Sequence, residues 1–235
     1  MYKKLSAPLT VHIEISSRCP NSCIHCYNFW RRDEGGSTAR SQSLSEAEIG
    51  AIFEKLSKER IFHIVLTGGE PLTNKRGLFF AIERAKQSGM TVSVNSTLIG
   101  LLLSDANHLR NLGVSSVLTS ILGPSAEIHD AITQRPGSFE KTVRGIRLLQ
   151  ETGVSVGVNM VVSKKNIDFI KETGRFTVSL GIRHFNATRA GCPGNCDDFS
   201  ELALSQTEFR RYLEDLRGVG LEERIKVDAL EGYPL

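Results

Sequence analysis

Three cysteines fall within eight residues, Cys19, Cys23 and Cys26 of CPNSCIHCY, at C-x3-C-x2-C spacing with no fourth beside them. Thiolates of this kind bind zinc or an iron–sulfur cluster. A structural zinc site closes four ligands, and His25 or another histidine would complete one here. A four-iron cluster held by three thiolates instead leaves one iron open to coordinate a further molecule. Both readings stand on the cysteines alone. The second candidate group is Gly68-Gly69-Glu70-Pro71. Glycines admit close backbone approach, a carboxylate accepts from an ammonium, and proline stiffens a turn. Taken by itself this tetrapeptide also suits an ordinary strand-to-helix turn.

Chemistry at these positions needs elements to aim it. Short β-branched runs recur: VHIEIS from Val11, FHIVLT from Phe62, TVSVNS from Thr91, SSVLTS from Ser115, VSVGVNMVV from Val154 and IRHFNA from Ile182. Helix signals lie between them. Ser45 with Glu48 makes a capping box ahead of Ile49, Ile52, Phe53 and Leu56, and Ser205 with Glu208 repeats it ahead of Phe209, Tyr212, Leu213 and Leu216. Phe139, Val143, Ile146 and Leu149 form a further apolar stripe, and Asn166 is expected to cap another helix. Strands alternating with helices imply an α/β fold with parallel pairing through right-handed crossovers, either an open doubly wound sheet or a full or partial barrel. In both, ligands gather at the carboxyl ends of the strands. The cysteine loop follows the first run, TGGEP the second, NST at 95–97 the third and SILGP at 120–124 the fourth.

Composition narrows the class without choosing the chemistry. With 235 residues, 40% hydrophobic and 23% charged, the chain is an ordinary folded protein long enough for one α/β domain. The net charge is +3, and the pairs Lys3-Lys4, Arg31-Arg32 and Lys164-Lys165 are scattered without aromatic interleaving, so no nucleic-acid partner is expected. The amino terminus lacks an apolar signal core and LIGLLL at 98–103 is too short to span a bilayer, so a cytoplasmic protein with no membrane partner is expected. Five cysteines, three of them crowded, do not form a secreted disulfide framework.

The cysteine spacing, with Tyr27 directly after Cys26 and GGEP after the second strand, resembles the signature of the radical S-adenosylmethionine (SAM) superfamily. The resemblance spans Val11 to about Leu216 and implies a partial (β/α)6 TIM-like barrel, parallel strands with helices outside. It implies a [4Fe-4S] cluster on Cys19, Cys23 and Cys26, with SAM on the open iron. Tyr27 would lie near the adenine, and Gly68, Gly69, Glu70 and Pro71 would receive the methionine amino group. Ser120 is similarly placed to a ribose-contacting hydroxyl, Asn95 and Asn159 would add polar contacts at strand ends, and Arg135 resembles an arginine that meets the SAM carboxylate in some members. The implied activity is reductive cleavage of SAM to a 5′-deoxyadenosyl radical that abstracts hydrogen from a substrate. No catalytic acid or base is assigned.

The segment 121–149, with G-P-x-x-x-x-H-D and P-G-S-F-x-x-T, and VNMVVSKKNID at 158–168 look like the subgroup of peptide maturases with SPASM or twitch extensions. A ribosomally made peptide is then the expected substrate and a flavodoxin or ferredoxin the expected reductant. Leu122 stands where the subgroup commonly has an acidic residue. Only eighteen residues precede Cys19, so a separate leader-binding protein is expected. Cys192 and Cys196 are too few to hold a second cluster on cysteines alone. The core domain is therefore expected over 1–217, with 218–235 the start of a C-terminal extension cut short at LEGYPL and auxiliary clusters beyond residue 235. The alternatives are a compact radical SAM activase or small-molecule enzyme, and a non-catalytic iron–sulfur or zinc module.

Overall fold

The structure, a computed structural model, describes residues 7–28, 42–191 and 199–229. Lys3-Lys4, Arg31-Arg32, most of the loop at 35–43, Cys192, Cys196 and LEGYPL lie outside the described residues. The fold is α/β, with seven strands in the order β1-β2-β3-β4-β5-β6-β7 and helices in the connections. The chain divides into two compact units, one drawn from residues 1–19, 40–118 and 148–155 and the other from 20–39, 119–147 and 156–235.

The first unit holds β1 (Thr10–Ser16), β2 (His63–Gly68), β3 (Thr91–Asn95) and the opening residues of β4 (Ser116–Ser120), paired in parallel in that order. Strand alternation decides its core. Ile13, Ile15, Ile64, Leu66, Val92 and Val94 are buried, along with Ile49 and Phe53 of α1 (Glu46–Leu56), Leu78 and Ile82 of α2 (Lys75–Gln87) and Leu109 of α3 (Leu103–Asn111). The expected capping box on α1 is formed: Ser45 N–H donates to Glu48 Oε2 at 2.8 Å and Glu48 N–H to Ser45 Oγ at 3.3 Å.

The second unit holds the end of β4, then α4 (Ala126–Thr133), most of α5 (Ser138–Glu151), β5 (Val156–Val162), α6 (Ile170–Ser179), β6 (His184–Arg189), α7 (Gln206–Glu223) and β7 (Lys226–Ala229). Val158, Met160, Phe185 and Ala187 are buried on one strand face, and Tyr212 of α7, wholly buried, donates its hydroxyl to Ala187 O at 3.1 Å. Two features differ from the sequence reading. A seventh strand, KVDA, follows α7; it is four residues long and half exposed, too short and too polar to show as a β-branched run. Asn166 does not cap α6 with its side chain. It accepts from Ser163 N–H at 2.8 Å and donates to Leu122 O at 3.0 Å and Val161 O at 2.9 Å, fastening the end of β5.

His129 and Asp130 fix the corner around α4. Asp130 accepts from Gly137 N–H at 2.6 Å, Ser138 Oγ at 2.7 Å and Phe139 N–H at 2.8 Å, so it closes the PGSF turn and the start of α5. His129 is buried and its Nδ1 accepts from Leu122 N–H at 3.1 Å, which puts the ring proton on Nε2. Burial drives this imidazole down from 6.5 to about 4, against an upward pull from Asp130. The unfolded chain therefore takes up a proton on this ring at a higher pH than the folded one. The stabilisation is complete above 6.5 and is lost as the pH falls towards about 4. Urea unfolding of the wild type should show its midpoint falling across that window. His129→Asn, which keeps an acceptor for Leu122 without a titrating ring, should be less stable at neutral pH and show a flatter profile; an equally steep one would assign the loss to other groups.

Candidate functional site

In the first unit, β1 ends at Ser16 and the chain runs through Ser17 and Arg18 to Cys19. The turn after β2 is bonded to this segment: Gly69 N–H donates to Ser16 O and Glu70 N–H to Arg18 O, both at 2.7 Å. The approach leaves no room for side chains. Gly68 has φ +146° and a Cβ there would stand 2.3 Å from Ser16 O, while one on Gly69 would stand 2.4 Å from Arg18 O. Both glycines are thus required by the fit of two backbones.

Glu70 is completely buried. Its Oε1 accepts from Leu72 N–H at 3.0 Å and Ser96 Oγ at 2.7 Å, and its Oε2 from Thr97 N–H at 2.6 Å and Thr97 Oγ1 at 2.5 Å. Burial pushes the carboxyl up, and the bonds from Thr97, Leu72 and Ser96 offset only part of that. The carboxylate expected to meet an ammonium is thus already engaged by four donors, and it braces the turn after β2 against the residues after β3. Pro71 opens the short 3-10 turn Pro71–Asn74 that leads into α2. Ser96 and Thr97 are site residues that sequence reasoning passed over. NST after β3 was visible as a strand-end motif, but only Asn95, half-buried at the end of β3, was selected from it.

In the second unit, Cys23 and Cys26 close a turn through Cys26 N–H to Cys23 O at 3.1 Å. The loop is tied to the end of α4 by Ser22 N–H to Thr133 O at 2.9 Å and Ile24 N–H to Ile132 O at 3.0 Å. Cys19, Cys23 and Cys26 are all half-buried. Tyr27 is 56% exposed, whereas Asn28 is buried with its Oδ1 unpartnered among the described residues. Ser120 is half-buried at the end of β4, and Asn159 of β5 accepts from Thr188 Oγ1 at 3.0 Å. Arg135 is exposed in the turn after α4. The predicted residues thus divide, Cys19, Gly68 to Pro71 and Asn95 in the first unit and Cys23, Cys26, Tyr27, Ser120, Arg135 and Asn159 in the second.

The donor set fits an iron–sulfur cluster. Three half-buried thiols are offered, two of them on one hydrogen-bonded turn. Among the described residues no three Cys, His, Asp or Glu side chains converge to hold a single metal ion. Thiolates on a four-iron cluster each take a separate iron and need no common point.

The chain thus pairs a three-thiol loop after its first strand with a glycine turn after its second. The Radical SAM superfamily profile matches residues 13–177, and the chain belongs to that superfamily. It is 27% identical over 231 residues to the AdoMet-dependent heme synthase of Methanosarcina barkeri, which covers 97% of this chain and 63% of that one. It is 23% identical over 239 residues to the PqqA peptide cyclase of Rhizobium meliloti, covering 98% of this chain and 62% of that one. Among solved structures, SuiB of Streptococcus suis bound to S-adenosylmethionine superimposes with a TM-score of 0.76 at 14% identity, over 97% of this chain and 51% of SuiB. The chain spans less than two thirds of the length of these relatives.

The Glu70 brace makes a direct prediction. Glu70→Gln presents an amide NH2 to at least one of the donors now bonded to the carboxylate, leaving a buried donor unsatisfied at a cost of about 1–3 kcal/mol. Urea denaturation should register this loss. Unchanged stability would mean that the four bonds contribute nothing net.

Proposed function

We propose that this chain is the catalytic core of a radical SAM enzyme that modifies a ribosomally made peptide. The observation that carries the reading is the bonding of Glu70 N–H to the carbonyl of Arg18, directly before Cys19. It fixes a glycine turn suited to a ligand's ammonium next to the first cluster thiolate, an arrangement that a simple electron carrier or zinc module does not need. Cys19, Cys23 and Cys26 would hold a [4Fe-4S] cluster. When bound, it supplies the electron for reductive cleavage of SAM to a 5′-deoxyadenosyl radical, which takes hydrogen from the substrate.

The chain's own residues then bind, orient and exclude. Gly68 and Gly69, with Glu70 and Pro71 behind them, would shape the seat for the methionine amino group. Asn95, Ser120 and Arg135 would make polar contacts with SAM, and Tyr27 would cover its adenine. Confining the substrate C–H next to the cleaving bond is the positional part of catalysis. A flavodoxin or ferredoxin would deliver the electron, and the work would be done in the cytoplasm. The core would occupy 1–217.

Similarity to a peptide cyclase supports the peptide substrate. Similarity to a heme synthase supports a second reading, a small-molecule enzyme acting on a tetrapyrrole. The test begins with anaerobically prepared protein, dithionite and SAM. The wild type should release 5′-deoxyadenosine, and Cys23→Ala should release none. A colourless zinc protein without cleavage would overturn both enzyme readings. Mass spectrometry of bound material then separates them, a short peptide supporting the maturase and a porphyrin the second reading.

A further inference from the structure

On β5 and β6, the face opposite Val158, Met160, Phe185 and Ala187 carries polar side chains in parallel register. Asn159 stands beside Asn186, and Asn186 beside Asp228 of β7. Neighbouring strands lie about 4.8 Å apart, so these groups form one continuous row. Its two ends are committed. Asn159 Oδ1 accepts from Thr188 Oγ1 at 3.0 Å, which orients that amide and leaves its Nδ2 to donate. Asp228 Oδ2 accepts from His184 Nε2 at 2.8 Å and Lys226 Nζ at 3.1 Å.

The middle of the row is not committed. Asn186 is 4% exposed, and its Oδ1 is buried with no partner among the described residues. An unsatisfied buried carbonyl is destabilising, and leucine would fill nearly the same space without that loss. A buried residue whose polar atom costs stability marks a place where something else donates. Asn159 and Asn186 together offer a donor and an acceptor one strand apart, complementary to a carboxamide. Asn186 also lies three residues short of Arg189, the carboxyl end of β6. A ligand seated at the strand ends therefore reaches it only with a projecting group.

Resting on the reading of the chain as a peptide-modifying enzyme, we propose that Asn159 and Asn186 form a substrate subsite for a side-chain carboxamide. Nδ2 of Asn159 donates to the amide carbonyl and Oδ1 of Asn186 accepts from the amide N–H. Asn159 then serves the substrate rather than SAM. An adenine edge offers a similar donor and acceptor, so the experiment separates the two sources.

Thermal unfolding of the cluster-loaded protein is followed with the tripeptide Gly-Asn-Gly, with Gly-Leu-Gly, and with neither. SAM affinity is measured by equilibrium dialysis on the same samples. Gly-Asn-Gly should raise the wild-type Tm and Gly-Leu-Gly should not. Asn186→Leu should have a higher Tm than the wild type without ligand and lose the Gly-Asn-Gly response, with the same SAM dissociation constant. Asn159→Leu should also lose the response, an independent test of the same subsite. Three outcomes overturn the proposal: a wild-type protein that responds equally to both tripeptides or to neither, a lower ligand-free Tm in Asn186→Leu, or weakened SAM binding, which would give the row to the nucleoside. Wild-type 5′-deoxyadenosine formation, assayed alongside, fails only if the broader enzyme reading fails.

Discussion

One buried carboxylate sets the geometry at the ends of the first three strands. Glu70 is inaccessible to water, and water's solvation is replaced by four protein donors contributed by Leu72, Ser96 and Thr97. Removing an ionisable group from water is costly unless its lone pairs are filled, so this residue tolerates only an arrangement that brings all the donors together. That requirement pins the turn after β2 to the residues after β3. Through Gly69 N–H and Glu70 N–H it also pins both to the backbone leading into Cys19. The cysteine therefore inherits its position from a residue fifty-one places later in the chain.

The two strand faces divide the labour. In both units the apolar face is filled with Ile, Val, Leu, Met and Phe, and its packing decides that the fold forms. The opposite face carries Ser93 and Ser116, 3.0 Å apart, and Asn95 in the first unit, and Asn159, Asn186 and Thr188 in the second. Side chains there are chosen for hydrogen bonding. In this chain the apolar face carries the scaffold, and the polar face holds the subsite proposed above.

Strand positions were largely legible because β-branched alternation is a local signal, and both capping boxes declared their helices within four residues. The glycine turn and the cysteine loop were legible as types and spacings. What escaped was long-range. Three of the four donors to Glu70 lie twenty-six and twenty-seven residues away, and no pattern around GGEP says that its carboxylate is filled from NST. Asn166 reads as a cap because asparagine before a helix often is one, yet two backbone carbonyls, one forty-four residues distant, take its amide instead. Asn186 is unremarkable in IRHFNA, and only burial sets it apart.

The corner built by His129 and Asp130 bears on how such chains are recognised. Both side chains are spent inside the protein, one on Leu122 and the other on the turn into α5. G-P-x-x-x-x-H-D followed by P-G-S-F is thus a description of a bend. Used as a search string, it would gather proteins that turn the chain in this way whatever they act upon. A catalogue sorted by substrate would have to be indexed on something other than this bend.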